Sequence, residues 1–168
     1  MEEKRVKDSS ITMSHVMLPQ DINSAGNVHG GSVMKYIDTA AGVVAVRHTR
    51  GNVVTASIDR LDFHHPVFLG NLLTLKASLN MVGRTSMELG VRAEAEDLYT
   101  GKVSHTASAY LTFVALDENG KPQEVPRLIL ETEDEKRRNR AAIARSAMRM
   151  EEKRKEEACK SDLDKCEL

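Results

Sequence analysis

Asp38 is a carboxylate inside an otherwise apolar run. From Ala40 to Val46 the chain reads Ala-Ala-Gly-Val-Val-Ala-Val, and upstream of Asp38 stand Met34, Lys35, Tyr36 and Ile37. A buried carboxylate is costly without a partner. Two readings stay open from the residues alone. One is an ion pair with Lys35, three residues earlier, in the poorer order of base before acid on a helix. The other is a general base or nucleophile facing a small cleft. Just ahead lies Gly26-Asn27-Val28-His29-Gly30-Gly31. The double glycine where a loop enters a helix either permits a tight turn or lets a ligand approach free N–H groups. At such a helix start, a carbonyl oxygen can be held as it becomes an oxyanion. At about 1.5 Å rise per residue, Gly30 and Asp38 lie roughly 12 Å apart along one helix. They cannot act on one bond from within one chain. The spacing therefore predicts a dimer with antiparallel helices.

The elements that must hold these residues follow from periodicity. Leu73, Leu75, Ala77, Leu79 and Met81 alternate with Thr74, Lys76, Ser78 and Asn80; Met87, Leu89, Val91, Ala93 and Ala95 alternate with polar residues in the same way. Period-two patterns mark strands with one buried and one wet face. Gly83-Arg84 between them predicts an antiparallel hairpin. Val103 to Leu116 is a third strand, and Val53 to Phe63 and Ile11 to Leu18 are two less regular candidates. The segment from Gly30 to Thr49 does not alternate and has almost no polar face, so it reads as a helix buried on every side. One buried helix wrapped by about five mostly antiparallel strands is an α+β layout. Asp117-Glu118-Asn119-Gly120 is turn chemistry that ends the sheet. Thr132 with Glu135 forms a capping box, so a second helix starts there. Its Glu, Lys and Arg texture predicts a solvated helix packed lightly on the body or on a neighbouring subunit.

Composition bounds the class. The 168 residues suit one domain, and 40% hydrophobic with 29% charged residues is ordinary for a globular protein. A net charge of −1 gives no global basic field, so neither nucleic acid nor an anionic membrane is an expected partner. No run is long and apolar enough to span a bilayer, and the charged first ten residues do not read as a signal peptide. Cys159 and Cys166, in a polar tail, read as free thiols in a reducing cytoplasm.

The ordered set Asn27-Val28-His29-Gly30-Gly31, Met34, Asp38, Ala41-Gly42 and Val54-Thr55-Ala56-Ser57-Ile58-Asp59 resembles the hotdog acyl-CoA thioester hydrolases. The resemblance is nearer to the bacterial acyl-CoA hydrolases and the two-domain cytosolic, brain-type enzyme of animals, and runs from about residue 10 to about residue 140. It implies a hotdog fold, with residues 1–125 as its single domain, 126–158 as a connector and charged helix, and 159–168 as a flexible tail. The activity implied is hydrolysis of fatty acyl-CoA to free fatty acid and coenzyme A. By the resemblance Asp38 is catalytic, Asn27 orients water or the thioester, and Gly30 N–H is the oxyanion donor. Gly31 and His29 stand close by, and the Arg84-Thr85-Ser86 turn offers a guanidinium and hydroxyls to coenzyme A phosphates. A homodimer would have two sites, each taking Asn27 from one subunit and Asp38 from the other, and a trimer of such dimers is expected.

The site as read demands no metal and no organic cofactor. His64 and His65 would point to opposite faces of a strand, and no zinc-type spacing occurs. No Gly-x-Ser-x-Gly elbow or nucleophilic cysteine is seen. Asp59 and Asp62 read as structural. Two rivals remain: a hotdog hydratase or dehydratase using His29 with Asp38, and an acyl-CoA-binding sensor without hydrolysis.

Overall fold

The alternating runs become the long strands of one sheet, and the apolar run becomes the helix that sheet wraps. The computed structural model describes residues 3–161, with side chains to residue 158. The order is β1 (Glu3–Arg5), α1 (Val6–Ser9), β2 (Ile11–Val16), a 3-10 turn (Pro19–Asp21) and α2 (Gly30–Thr49). Then follow β3 (Asn52–Phe63), β4 (Leu72–Val82), β5 (Ser86–Glu96), β6 (Val103–Leu116), β7 (Arg127–Ile129) and α3 (Glu133–Ser161). The five long strands form an antiparallel sheet in the order β2-β4-β5-β6-β3. β3 is therefore a sheet edge. The cysteine reading rests on side chains outside the described ones.

The core lies between the sheet and α2. Leu73, Leu75, Leu79, Met87, Leu89 and Leu111 point inward against Ile37, Ala40, Ala41, Val44 and Ala45, all buried. Small residues on α2 let the sheet approach its backbone: a Cβ added to Gly42 would meet the Phe113 ring at 3.7 Å. This is the hotdog arrangement, with the helix and strand boundaries close to those read from periodicity.

Two features differ from the sequence reading. First, α2 is not buried on every side within one chain. Met34, Val43 and Val46 are exposed, as are Val54 and Ile58 on the edge strand β3. Second, a small parallel sheet pairs β1 with β7, ties the start of the chain to the segment after residue 125, and is reinforced by ion pairs from Arg5 and Lys7 to Glu131. Three-residue strands carry no period to read.

The capping box at α3 is present: Glu135 N–H donates to Thr132 Oγ1 at 3.2 Å, and Thr132 N–H donates to Glu135 Oε2 at 2.9 Å. None of the helices over the described residues is long and apolar enough to cross a membrane.

Candidate active site

The loop from Asp21 to His29 delivers the chain to the start of α2. Asn23 opens a tight turn: its Oδ1 accepts from Ala25 N at 2.9 Å and Asn27 N at 3.3 Å, and Gly26 N–H donates to Asn23 O at 3.0 Å. Gly26 sits at φ 83°, the left-handed region that glycine enters without steric cost. The loop is held from behind by His29 N–H donating to Asp21 O at 2.7 Å and by Tyr36 Oη donating to Asp21 Oδ1 at 3.4 Å. Burial, and then the Asp21 charge, push the Tyr36 phenol above its ordinary value.

His29 is the N-cap of α2, and its Nδ1 accepts from Gly31 N–H at 3.2 Å. Ser32 and Val33 N–H donate to His29 O. The Gly30 N–H is left without an acceptor among the described residues. Neither Gly30 nor Gly31 has a positive φ, and a Cβ on either would meet ordinary contacts, the nearest 3.7 Å from Phe63 and 3.4 Å from His29. The fold of this chain does not itself demand glycine at either place.

Beside Gly30 opens a cavity of about 330 Å³, bordered by Asn23, Asn27, Phe63, His64 and His65 among others. The chain leaves the strand at Phe63, so strand alternation does not apply to the two histidines and both reach the cavity. Asn27 borders it too, its backbone bridged to Phe68.

Asp38 lies elsewhere. It is half-buried one face away on α2, and its Oδ1 accepts from Thr55 Oγ1 on β3 at 2.7 Å. Lys35 makes no ion pair with it. Thr55 and Phe63 stand near opposite ends of β3. The chain therefore splits its candidate groups into a Gly30–Asn27 end and an Asp38–Thr55 end. Arg84, Thr85 and Ser86 fall near the second end, because Ser86 lies in the same cross-strand row as Val114 and Val54, next to the row of Thr55, Phe113 and Met87. Their turn is fixed through backbone oxygens: Val125 N–H donates to Arg84 O, and Ala115 N–H to Thr85 O. The Arg84 side chain is exposed.

Thr55 and Asn23 were given no role by sequence reasoning. Thr55 is one polar residue in a long, irregular strand. Asn23, with Gly26 three positions on, is ordinary turn chemistry and gives no sign of a second use. Among the described residues, no group of three or more His, Cys, Asp or Glu side chains is arranged to hold a metal ion. Asp59 is held by Ser57, Thr112 and the Arg149 guanidinium, and Asp62 by Arg60, as structural residues would be.

A helix start with a free N–H beside a cavity, on a sheet wrapped around that helix, is a hotdog fold with a place for a ligand at the helix N-terminus. The thioesterase superfamily pattern matches residues 25–102. The chain is 39% identical to the uncharacterized acyl-CoA thioester hydrolase YkhA of Bacillus subtilis, over 94% of its own length and 91% of the relative's. It is 40% identical to the cytosolic acyl coenzyme A thioester hydrolase of Mus musculus, over 82% of this chain and 36% of that longer protein. Among solved structures it superimposes with a TM-score of 0.87 on a hexameric acyl-CoA thioesterase, at 39% identity over 90% of this chain and 97% of that one. It matches equally well, with a TM-score of 0.87 and 33% identity over 96% and 99%, the acyl-CoA hydrolase of Staphylococcus aureus in complex with butyryl coenzyme A, coenzyme A and coenzyme A disulfide. The chain belongs to the acyl-CoA thioester hydrolase family.

Proposed function

We propose that this protein hydrolyses fatty acyl-CoA thioesters at a site completed by two copies of the chain. The observation that carries the reading is the split itself: the free Gly30 N–H faces a cavity at one end of β3, while Asp38, oriented by Thr55, stands near the other. β3 is an unpaired edge with Val54 and Ile58 exposed, beside the exposed Met34, Val43 and Val46 of α2. An open apolar edge is a liability that a second strand removes. A two-fold pairing of β3 with its copy runs the strands antiparallel and brings the Gly30 end of one against the Asp38 end of the other. The dimer is the minimal active unit, and the hexameric state of a relative supports three such dimers as the full assembly.

Gly30 N–H binds the thioester oxygen as charge builds on it. Either Asp38 takes a proton from water as that water attacks the carbonyl, or Asp38 itself attacks to give a transient anhydride that water then hydrolyses; in both routes the coenzyme A sulfur is expelled with its electron pair. Thr55 holds Asp38 in place. Arg84, Thr85 and Ser86 serve the phosphates of coenzyme A. The chemistry as written draws on no metal or organic cofactor.

The amide that orients water or thioester has two candidates, Asn27 and Asn23. The S. aureus hydrolase has been studied with an asparagine, an aspartate and a threonine each replaced by alanine, the first two 15 positions apart and the last two 17 apart. Asn23, Asp38 and Thr55 repeat those separations, whereas Asn27 stands only 11 residues before Asp38. Asn23 also borders the cavity, and its Nδ2 has no partner among the described residues. The spacing favours Asn23 for this role, with Asn27 shaping the cavity wall beside it.

The test is coenzyme A release from a panel of acyl-CoAs by wild type and by Asp38→Asn, Asn23→Ala and Asn27→Ala, with oligomer size followed in parallel and the protein's own thiols subtracted. Asp38→Asn is expected to lose about a hundredfold or more with the oligomer intact, as for a lost acid–base group. Asn23→Ala is expected to lose more than Asn27→Ala. Tight acyl-CoA binding by a wild type that releases no coenzyme A would replace the hydrolase reading with a sensor.

A further inference from the structure

The chemistry above leaves the departing sulfur without a proton source. The side chains bordering the cavity beside Gly30 that carry chemistry are Asn23, Asn27, His64, His65 and Thr106. Of these only imidazole exchanges a proton readily near neutral pH.

The two histidines are not equivalent. His65 Nδ1 lies 2.9 Å from His105 O, and a carbonyl oxygen only accepts, so that nitrogen is committed as a donor to the backbone. The His64 ring has no hydrogen-bond partner among the described residues. It is instead fixed by packing on the His105 ring, with centroids 4.7 Å apart and planes at 43°. His105 in turn is held by Nε2 against Ala107 O at 3.1 Å and Ser108 Oγ at 2.9 Å. The His64 and His65 N–H groups both point at Thr106 O, at 2.8 and 3.5 Å, which pins the backbone. His64 is thus a ring with a set position, both nitrogens free, at the rim of the cavity that the Gly30 N–H faces.

The surroundings of His105 disfavour its charged form. Two imidazole rings in contact do not both protonate easily. Burial, then the Arg92 charge and His64 itself, hold His105 below its ordinary value. The nearby acids are engaged: Glu94 on β5 by Lys76 and Arg92 at 2.7 Å each, and Asp62 on β3 by Arg60 at 2.5 Å. His105 is therefore held toward its neutral form, and of the two rings it is His64 that borders the cavity.

We propose that His64 is the general acid of this site, donating its proton to the coenzyme A sulfur as the carbon–sulfur bond breaks. This rests on the thioesterase reading. Water attacks the carbonyl carbon as its proton passes to Asp38 of the other copy. The tetrahedral intermediate then expels sulfur with its electron pair, and the His64 imidazolium protonates it to a thiol. The products are a carboxylic acid and coenzyme A thiol; Asp38 then gives up its proton to solvent and His64 regains one from it, which restores both groups.

A leaving group that is stable without a proton tests this directly. Hydrolysis of an acyl-CoA is compared with that of the same acyl group on an acidic aromatic thiol, in wild type, His64→Gln, His65→Gln and Asp38→Asn. For His64→Gln a loss of about a hundredfold in kcat is expected on acyl-CoA, within the usual range for a general acid, against less than about threefold on the aryl thioester. His65→Gln should affect both substrates alike, and Asp38→Asn should depress both strongly. Equal loss on both substrates in His64→Gln would leave His64 a structural residue, and an undiminished kcat on acyl-CoA would remove it from the mechanism. Hydrolysis of both thioesters unaffected by Asp38→Asn would instead overturn the underlying reading. Unchanged oligomer size and melting temperature in His64→Gln, which is exposed, exclude misfolding as the cause.

Discussion

The two long helices lie against opposite faces of one sheet and are held there by opposite means. On the inner face α2 is fixed by apolar burial, with Ala40, Ala41, Val44 and Ala45 wholly buried against Leu73, Leu89 and Leu111. On the outer face Ala142 is the one apolar side chain of α3 that is fully buried among the described residues. The helix is anchored by polar groups instead. Arg145 forks onto Glu88, with Nη2 2.6 Å from Oε1 and Nε 3.2 Å from Oε2, and stacks over the Tyr110 ring at 3.7 Å. Arg149 pairs with Asp59, and Asn139 Nδ2 donates to Asn80 O at 2.8 Å. Asn139, Ala142, Arg145 and Arg149 follow one another at helical spacing, so α3 has a sheet-facing stripe written in polar residues. Gly90 is part of that anchor: a Cβ there would stand 2.8 Å from Asn80 Nδ2, whose other neighbour is Glu88. An apolar face can slide; a charge pair on a buried carboxylate fixes one register.

The comparison breaks first at Glu88, which is fully buried. Arg145→Met leaves that carboxylate uncompensated and is expected to cost about 3–5 kcal/mol. The double change Glu88→Gln with Arg145→Met should recover most of it. Denaturant unfolding at one fixed protein concentration measures both, and a double variant as unstable as the single one would show that the pair is not what holds the helix. On the inner face the matching change is Ile37→Ala, expected to cost about 2–5 kcal/mol by loss of burial and a residual cavity. No second substitution at a polar position should rescue it. A rescue there would mean that the two faces are not held differently.

This contrast also marks what the chain revealed before its structure was known. α2, β4, β5 and β6 were legible because an apolar pattern of period two or of none is written in residue types. The capping box at Thr132 was legible because it is local. The stripe on α3 was not, because a polar residue facing a polar partner looks, in one dimension, like a polar residue facing water. The split of the site was legible from the helix rise alone, since Gly30 and Asp38 share α2. Thr55 was hidden in an irregular strand with bulges near residues 55–57. Asn23 was hidden because its oxygen serves a turn. His64 was set aside on strand alternation, which ends one residue earlier at Phe63.

Arg149 tests how far along α3 the anchoring extends. Its partner Asp59 is also held by Ser57 at 2.6 Å and Thr112 at 3.1 Å, so the carboxylate keeps hydrogen bonds when the guanidinium is removed. Arg149→Gln is therefore expected to cost about 1 kcal/mol, well below Arg145→Met. Amide hydrogen exchange should show faster opening of α3 after residue 145 with β5 and β6 unchanged. Loss of protection in the sheet as well would make Arg149 part of the core rather than of a peripheral anchor.

Acid separates the two faces by the smallest effect. His105 lies beside Arg92 and is held below its ordinary value of 6.5, first by burial, then by Arg92 and His64. Between that lowered value and 6.5 the unfolded chain binds more protons than the folded one, so stability rises with pH across this window. Glu94 is held below its ordinary 4.5 by hydrogen bonds from Lys76 and then Arg92. Its contribution is complete above pH 4.5 and is lost as pH falls through the lowered folded value. The apolar contacts of α2 have no such dependence. Thermal melting followed from pH 7.5 down to pH 4 should show one decline setting in below about 6.5 and a second below about 4.5. His105→Gln is expected to flatten the first and Glu94→Gln the second. Ile37→Ala should lower the whole curve without changing its shape. A change of shape in Ile37→Ala would tie the inner face to titrating groups that the packing of α2 does not include.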